Sequence, residues 1–253
     1  MSDRSDIEWT DATWNPVTGC TKVTRGCDNC YAERFAERFR GTPGHPFENG
    51  FDLTLRPERL SQPLSWKRSR RVFVNSMSDL FHKRIPTHFI DQVFDTMETA
   101  DWHVFQVLTK RSSLMTNYLQ NRYRGTSAPQ HIWCGVSVED RLATARIRHL
   151  QKAPVPIRFL SIEPLIGPVG EIDLSGISWV IVGGESGPHA RPMKLRWVLD
   201  IRDACERNGV DFFFKQWGGR TAKAGGRQLE GNEYNAMPVY TKKEPAHAFQ
   251  VAS

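Results

Sequence analysis

Three of the chain's five cysteines fall on one short stretch, Gly19-Cys20-Thr21-Lys22-Val23-Thr24-Arg25-Gly26-Cys27-Asp28-Asn29-Cys30. Thiolates are the ligands that iron–sulfur clusters and zinc both select, so Cys20, Cys27 and Cys30 read as a metal site, with Gly26 letting the backbone turn back sharply. Three cysteines leave one iron of a four-iron cube without a protein ligand, open to bind and activate a small molecule. A closed zinc site calls for a fourth ligand, usually from a second C-x2-C pair, and the chain has no second pair. Zinc remains open if Cys134, Cys205 or His45 completes the set, and so does a redox pair of Cys27 and Cys30 with Cys20 an ordinary buried residue. Cys134 falls in a candidate strand and Cys205 on a candidate helix, where small buried cysteines are common, so both read as core.

The elements that must position this loop follow from hydrophobic periodicity. Apolar runs rich in Val, Ile, Phe and Trp predict strands at Arg71 to Asn75, Trp102 to Leu108, Ile132 to Val138, Ile157 to Ile162, Trp179 to Val182 and Asp211 to Lys215. A short first strand precedes Cys20. Three- and four-residue spacing predicts helices at about Tyr31 to Phe39, Thr87 to Ala100, Ser112 to Asn121, Arg141 to Leu150 and Leu195 to Asn208. Strands alternating with helices imply an α/β fold built on a parallel sheet, either a TIM-like β/α barrel, complete or partial, or an open doubly wound sheet. In both, function sits at the carboxyl ends of the strands. Those ends are polar here: Ser76, Ser78 and Asp79; Thr109, Lys110 and Arg111; Ser137, Glu139 and Asp140; Ser161 and Glu163; Gly183 to Ser186; Lys215 to Trp217.

Length and charge narrow the class. A chain of 253 residues that is 39% hydrophobic can bury the core of one domain, read here as residues 1–240 followed by a frayed tail over 241–253. Gly41 to Arg56 reads as an excursion that could act as a lid, and Gly218 to Gly231 as a second glycine-rich loop that is also basic. No apolar run approaches the ~20 residues of a membrane helix, and Met1 to Glu8 lacks the features of a secretory signal. The expectation is a soluble cytoplasmic protein with no membrane partner. A formal charge of +6 favours a polyanionic partner. Lys67 to Arg71, His82 to Arg84 and Arg122 to Arg124, interleaved with Trp66, Phe73, Phe81 and Tyr123, have the composition of a nucleic-acid groove; solvated charged faces are the plainer reading. Trp9, Trp14 and Trp217 are expected near the barrel mouth.

The chain resembles the radical S-adenosylmethionine superfamily, whose signature is three cysteines after the first barrel strand with x3 and x2 spacings; the spacing here is x6 and x2. More narrowly, Trp9 to Pro16, Gly19-Cys20 through Cys30-Tyr31-Ala32, and Val182-Gly183-Gly184-Glu185-Ser186-Gly187 look like a phage-associated three-cysteine family of unassigned function. The likeness runs to about Gly219. It implies a split barrel holding a [4Fe-4S] cluster, with S-adenosylmethionine on the open iron. Reductive cleavage then yields a 5′-deoxyadenosyl radical that abstracts hydrogen from substrate, with electrons from a donor such as flavodoxin or ferredoxin. Gly183-Gly184-Glu185 is similar to the superfamily's motif for the cofactor's amino group, although it follows a late strand. Lys110 or Arg111 could pair with the cofactor carboxylate, Ser137 or Glu139 could bond its ribose, and Glu163, held extended before Pro164, could contact cofactor or substrate. The function expected is modification or repair of a nucleic acid such as DNA, or of a nucleotide, with a partner protein also open. The alternatives are a zinc-dependent nucleic-acid-binding protein and a barrel enzyme using a redox pair on a small metabolite.

Overall fold

The computed structural model describes residues 5–240. Seven strands form one sheet: β1 (Ala12–Trp14), β4 (Arg71–Val74), β5 (Val104–Thr109), β6 (Ile132–Ser137), β7 (Ile157–Ile162), β8 (Trp179–Gly183) and β9 (Asp211–Gln216). All neighbours are parallel and the spatial order repeats the chain order. A doubly wound sheet would reverse direction partway; this one never does. It curls instead into a half-barrel, so of the two expected architectures the structure is the partial TIM-like β/α barrel. A two-stranded ribbon, β2 (Val17–Thr18) against β3 (Thr54–Leu55), ties the chain before Cys20 to the end of the Gly41–Arg56 excursion. The tail expected over 241–253 lies outside the described residues.

The period of two along each strand sorts its side chains between two cores. Val72, Val74, Phe105, Val107, Val136, Leu160, Val180, Val182 and Phe214 face outward and are buried beneath the helices. Those helices are α1 (Tyr31–Glu37), α2 (Thr87–Thr99), α3 (Ser112–Arg122), α4 (Ala145–Gln151) and α5 (Leu195–Asn208). On α2 the residues Phe89, Ile90, Val93, Phe94 and Met97 turn one apolar stripe to the sheet. The alternate residues Phe73, Val104, Trp133, Phe159, Trp179, Ile181 and Phe213 point into the concave side and close it with Trp9. Trp179 is central, with ring centroids 6.1 Å from Trp9, 6.1 Å from Trp133, 5.6 Å from Phe159 and 6.2 Å from Phe213.

The predicted helix from Arg141 to Leu150 is a 3-10 turn, Arg141–Ala143, followed by α4. The Asp140 carboxylate accepts from the Leu142 N–H at 2.9 Å, and the Arg141 N–H bonds Pro168, so the first turn is tied outside the helix. The strand expected from Trp102 begins at Val104, because the Trp102 indole is anchored to the Trp66 carbonyl at 2.9 Å. Among the described residues no helix is long and apolar enough to cross a membrane.

Removing the Trp179 ring empties the middle of the aromatic floor. Trp179→Ala is expected to cost about 3–5 kcal/mol of stability, read as a lower urea midpoint; an unchanged midpoint would show that the floor bears no structural weight.

Candidate functional site

Because all seven strands run the same way, their carboxyl ends share one rim, and the cysteine loop lies across it. Its entry is fixed by backbone bonds from Gly19 to Met77 (3.0 Å) and from Cys20 to Phe51 (3.2 Å). Gly19 has φ 79°, and a Cβ there would sit 2.2 Å from the Asp52 carbonyl oxygen, so the position requires glycine. Gly26 serves a different end from the turn expected of it. It lies in a short 3-10 turn, Arg25–Cys27, and its missing side chain makes room for Glu139, whose Cγ a Cβ would approach to 2.3 Å.

Four strand ends hold this loop through ionised groups. After β4 and β5, Arg111 reaches the Asp79 carboxylate (2.9 Å), the Thr21 carbonyl (3.0 Å) and the Cys20 sulfur (3.4 Å). After β6, Glu139 accepts from the Thr24 hydroxyl at 3.0 Å and pairs with Arg146 at 2.9 Å and Lys110 at 3.4 Å. After β8, Glu185 accepts from the Asn29 amide at 2.9 Å and from the Arg191 guanidinium at 2.6 Å, while Arg191 also donates to the Arg25 carbonyl at 2.8 Å. Beyond the loop, the Tyr31 hydroxyl donates to the Ser76 carbonyl at 2.6 Å. Burial alone would raise the Glu139 carboxyl, but Lys110, Arg146 and the Thr24 hydroxyl outweigh it and hold it below the ordinary range. Burial likewise opposes Glu185, and bonds from Arg191 and Asn29 overcome it.

Below the loop lies a cavity of about 460 Å³, within the range of small-molecule sites. Cys20, Cys27, Cys30, Lys110, Ser137, Glu163, Gly184 and Glu185 all line it. Gly183 and Glu139 do not. Ser137, Ser161, Glu163 and Lys215 continue the inward parity of the aromatic floor, so the same alternation that builds a dry base gives a polar rim. Burial pushes the Cys20 thiol up against the opposing pull of Arg111, and burial pushes Cys30 up as well. Burial thus favours the protonated thiol at both positions. Among the described residues no three His, Cys, Asp or Glu side chains converge as a preformed ion cage. What the three thiols share is a cavity wall.

Several sequence-derived roles meet competing contacts. Glu139 is occupied by Arg146, Lys110 and Thr24, and Glu185 by Arg191 and Asn29, so each carboxylate holds the loop in this structure. Gly184 is pressed against the Trp217 carbonyl, where a Cβ would come within 2.0 Å, and Gly183 against Glu163, at 3.0 Å; tight packing accounts for both glycines. Glu163 lines the cavity already paired with Lys215 at 2.7 Å. Cys134 and Cys205 are fully buried in the core, as expected. Trp9 lines the cavity, whereas Trp14 lies under the outer core with its indole bonded to Arg59, and Trp217 packs on Phe214 away from the lining. Lys67 to Arg71 leads into the amino end of β4 and so sits at the opposite end from the loop, and Arg122 is spent on Asp91, Asp95 and Glu98.

Asn75 is the residue that sequence reasoning passed over. It follows β4 in the left-handed region (φ 61°), is 2% exposed, and lines the cavity. Its Oδ1 accepts from the Val17 N–H at 3.3 Å, but its Nδ2 has no partner, and neither has the Trp9 indole N–H. Buried donors without acceptors are costly; two of them on one cavity fit a ligand that carries acceptor atoms. Lys215 was noted only as a strand end, and Arg191 not at all, because their partners are distant in sequence.

The chain belongs to the family described as a protein of unknown function, DUF5131, whose model matches residues 4–238. No curated protein matches it. No solved structure matches it either.

Glu139 and Glu185 carry folded-state pKa values below those of an unfolded chain, near 4.3. Their contribution is therefore full above that value and lost as pH falls through the folded ones. Glu185→Gln is expected to cost about 1–3 kcal/mol at pH 7 and to flatten the loss of stability on acidification, followed by urea melts from pH 7 to 3. Parallel curves for wild type and variant would remove Glu185 from the clasp.

Proposed function

We propose that this member of DUF5131 is an enzyme that holds a [4Fe-4S] cluster on Cys20, Cys27 and Cys30, binds S-adenosylmethionine beside it, and modifies or repairs a nucleic acid or nucleotide. The observation that carries the reading is that three thiols of one loop share the wall of one cavity at the carboxyl rim of a partial β/α barrel. The donor set fits: all three ligands are soft, and among the described residues the lining holds neither histidine nor a fourth cysteine. When bound, the pair would supply a 5′-deoxyadenosyl radical by one-electron cleavage of the sulfonium, with the electron from a donor such as flavodoxin or ferredoxin. The reading suits a cytoplasmic protein.

The chain's own residues then bind, orient and exclude water. The floor of Trp9, Phe73 and Leu108 closes the cavity from below. Lys110, which also meets Glu139 at 3.4 Å, lines the cavity as a cation for a carboxylate, and the Glu163–Lys215 pair offers both signs to a zwitterion. Ser137, Ser161 and the unpartnered Asn75 amide are placed for hydroxyl or carbonyl groups. The alternative, a non-catalytic nucleic-acid-binding protein built on zinc, calls for four ligands around one point, and the lining supplies three thiols.

Anaerobically purified protein is expected to carry about four irons with matching sulfide, and Cys20→Ala, Cys27→Ala or Cys30→Ala to lose most of that iron. Reductant plus S-adenosylmethionine should release 5′-deoxyadenosine from the loaded wild type. Failure to do so at full loading rejects the cofactor, and one tight zinc without sulfide selects the binding protein instead.

A further inference from the structure

Beside the cysteine cavity runs a second, open groove of about 440 Å³, between the outer face of α1 and the loops around Gly187 and Thr221. The two share Tyr31, Ser186 and Ala222, so the groove leads to the cavity mouth. Helical spacing places Tyr31 and Phe35 one turn apart, with Arg34 and Arg38 interleaved. Arg220 faces them from the other wall. Tyr31 and Phe35 are 50% and 45% exposed, the first tied by its hydroxyl to the Ser76 carbonyl and the second packed on Phe39 and Phe47, so together they present two positioned ring surfaces to the groove.

Among the described residues no carboxylate lines this groove. Arg34 is held in its wall: a Cβ at Gly187, which has φ 125°, would come within 1.8 Å of the Arg34 guanidinium, which donates to the Ser186 carbonyl at 2.7 Å. Its Nε is buried without a partner. Among the described residues neither Arg38 nor Arg220 has an acidic partner. Three guanidinium charges beside two exposed rings thus stand uncompensated, while Arg122 and Arg191 elsewhere are saturated with carboxylates.

We propose that this groove binds single-stranded nucleic acid, with Arg38 and Arg220 on its phosphates and Tyr31 and Phe35 stacked on its bases. The inference deepens the reading above by naming the substrate class and the path by which it reaches the cavity. Cations track the backbone and rings stack on unpaired bases without reading sequence. A duplex hides the faces of its bases, so it engages the arginines alone.

Fluorescence anisotropy on the full-length, anaerobically prepared protein tests this with labelled 12-nucleotide DNA and RNA strands, the matching duplexes, and polyglutamate of similar charge. Single strands of DNA or RNA are expected to bind at least tenfold tighter than duplex or polyglutamate. Phe35→Ala should weaken strand binding roughly tenfold. The double variant Arg38→Glu, Arg220→Glu should weaken it further and lower the salt slope by about 1.4. Thermal melts of each variant confirm that it folds. Strand binding unaffected by both variants overturns the proposal, as does polyglutamate binding as tightly as a strand. Iron is measured in the same samples: tight strand binding by iron-poor protein upholds the groove while counting against the cluster, and weak binding by fully loaded protein overturns the groove alone.

Discussion

The structure depends on charge buried at the carboxyl rim of the sheet. Glu139 and Glu185 are nearly inaccessible, and each is kept ionised by an arginine from a following segment, Arg146 and Arg191. Removing a carboxylate from water is expensive unless its oxygens are fully satisfied. Here the partners that complete the set come from the cysteine loop, Thr24 on Glu139 and Asn29 on Glu185. Asp79 does the same for Arg111, which reaches Thr21 and the Cys20 sulfur. A loop with little apolar content of its own is thereby fixed over a cavity by electrostatics that the barrel supplies.

That arrangement separates two tasks. The rim carboxylates position the loop, while the groups that face the cavity are the thiols, Lys110, Ser137, Ser161, the Glu163–Lys215 pair and the unpartnered donors of Asn75 and Trp9. The concave side is built for this by parity alone: aromatic residues at its base give way, two or four positions further along the same strands, to hydroxyls and charges. Wet chemistry at the rim and a dry floor beneath it follow from a single strand periodicity.

Much of this was legible in the sequence. The strand Ile157–Ile162 and the helix Leu195–Asn208 were readable to the residue, because apolar runs and a glycine cap at Gly209 mark their ends. The cysteine triplet was readable from its spacing, and the strand-end part of the cavity lining from its place after strands. What was hidden is pairing at long range. Nothing local says that Glu185 meets Asn29, 156 residues away, or Glu139 meets Thr24, 115 residues away, so both looked free to bind a cofactor. Asn75 was missed because its positive φ and orphaned amide exist only once β4 is laid beside β1. The basic stretches were indistinguishable for the same reason, since composition cannot tell which end of a barrel a residue occupies: Lys67 to Arg71 leads into the amino end of β4, whereas His82 bonds Thr21 of the cysteine loop and Arg220, from the basic Gly218–Gly231 loop, reaches the mouth.

The central claim is that one loop grips an iron–sulfur cluster at three corners and leaves the fourth for a small-molecule ligand in the cavity below. Electron paramagnetic resonance of the anaerobic, reduced protein tests it most directly, recorded before and after adding S-adenosylmethionine. The account predicts a reduced-cluster signal whose shape changes on addition of the cofactor, because the cofactor takes the open iron. A protein that carries zinc and gives no such signal, or a cluster signal indifferent to S-adenosylmethionine, would contradict it.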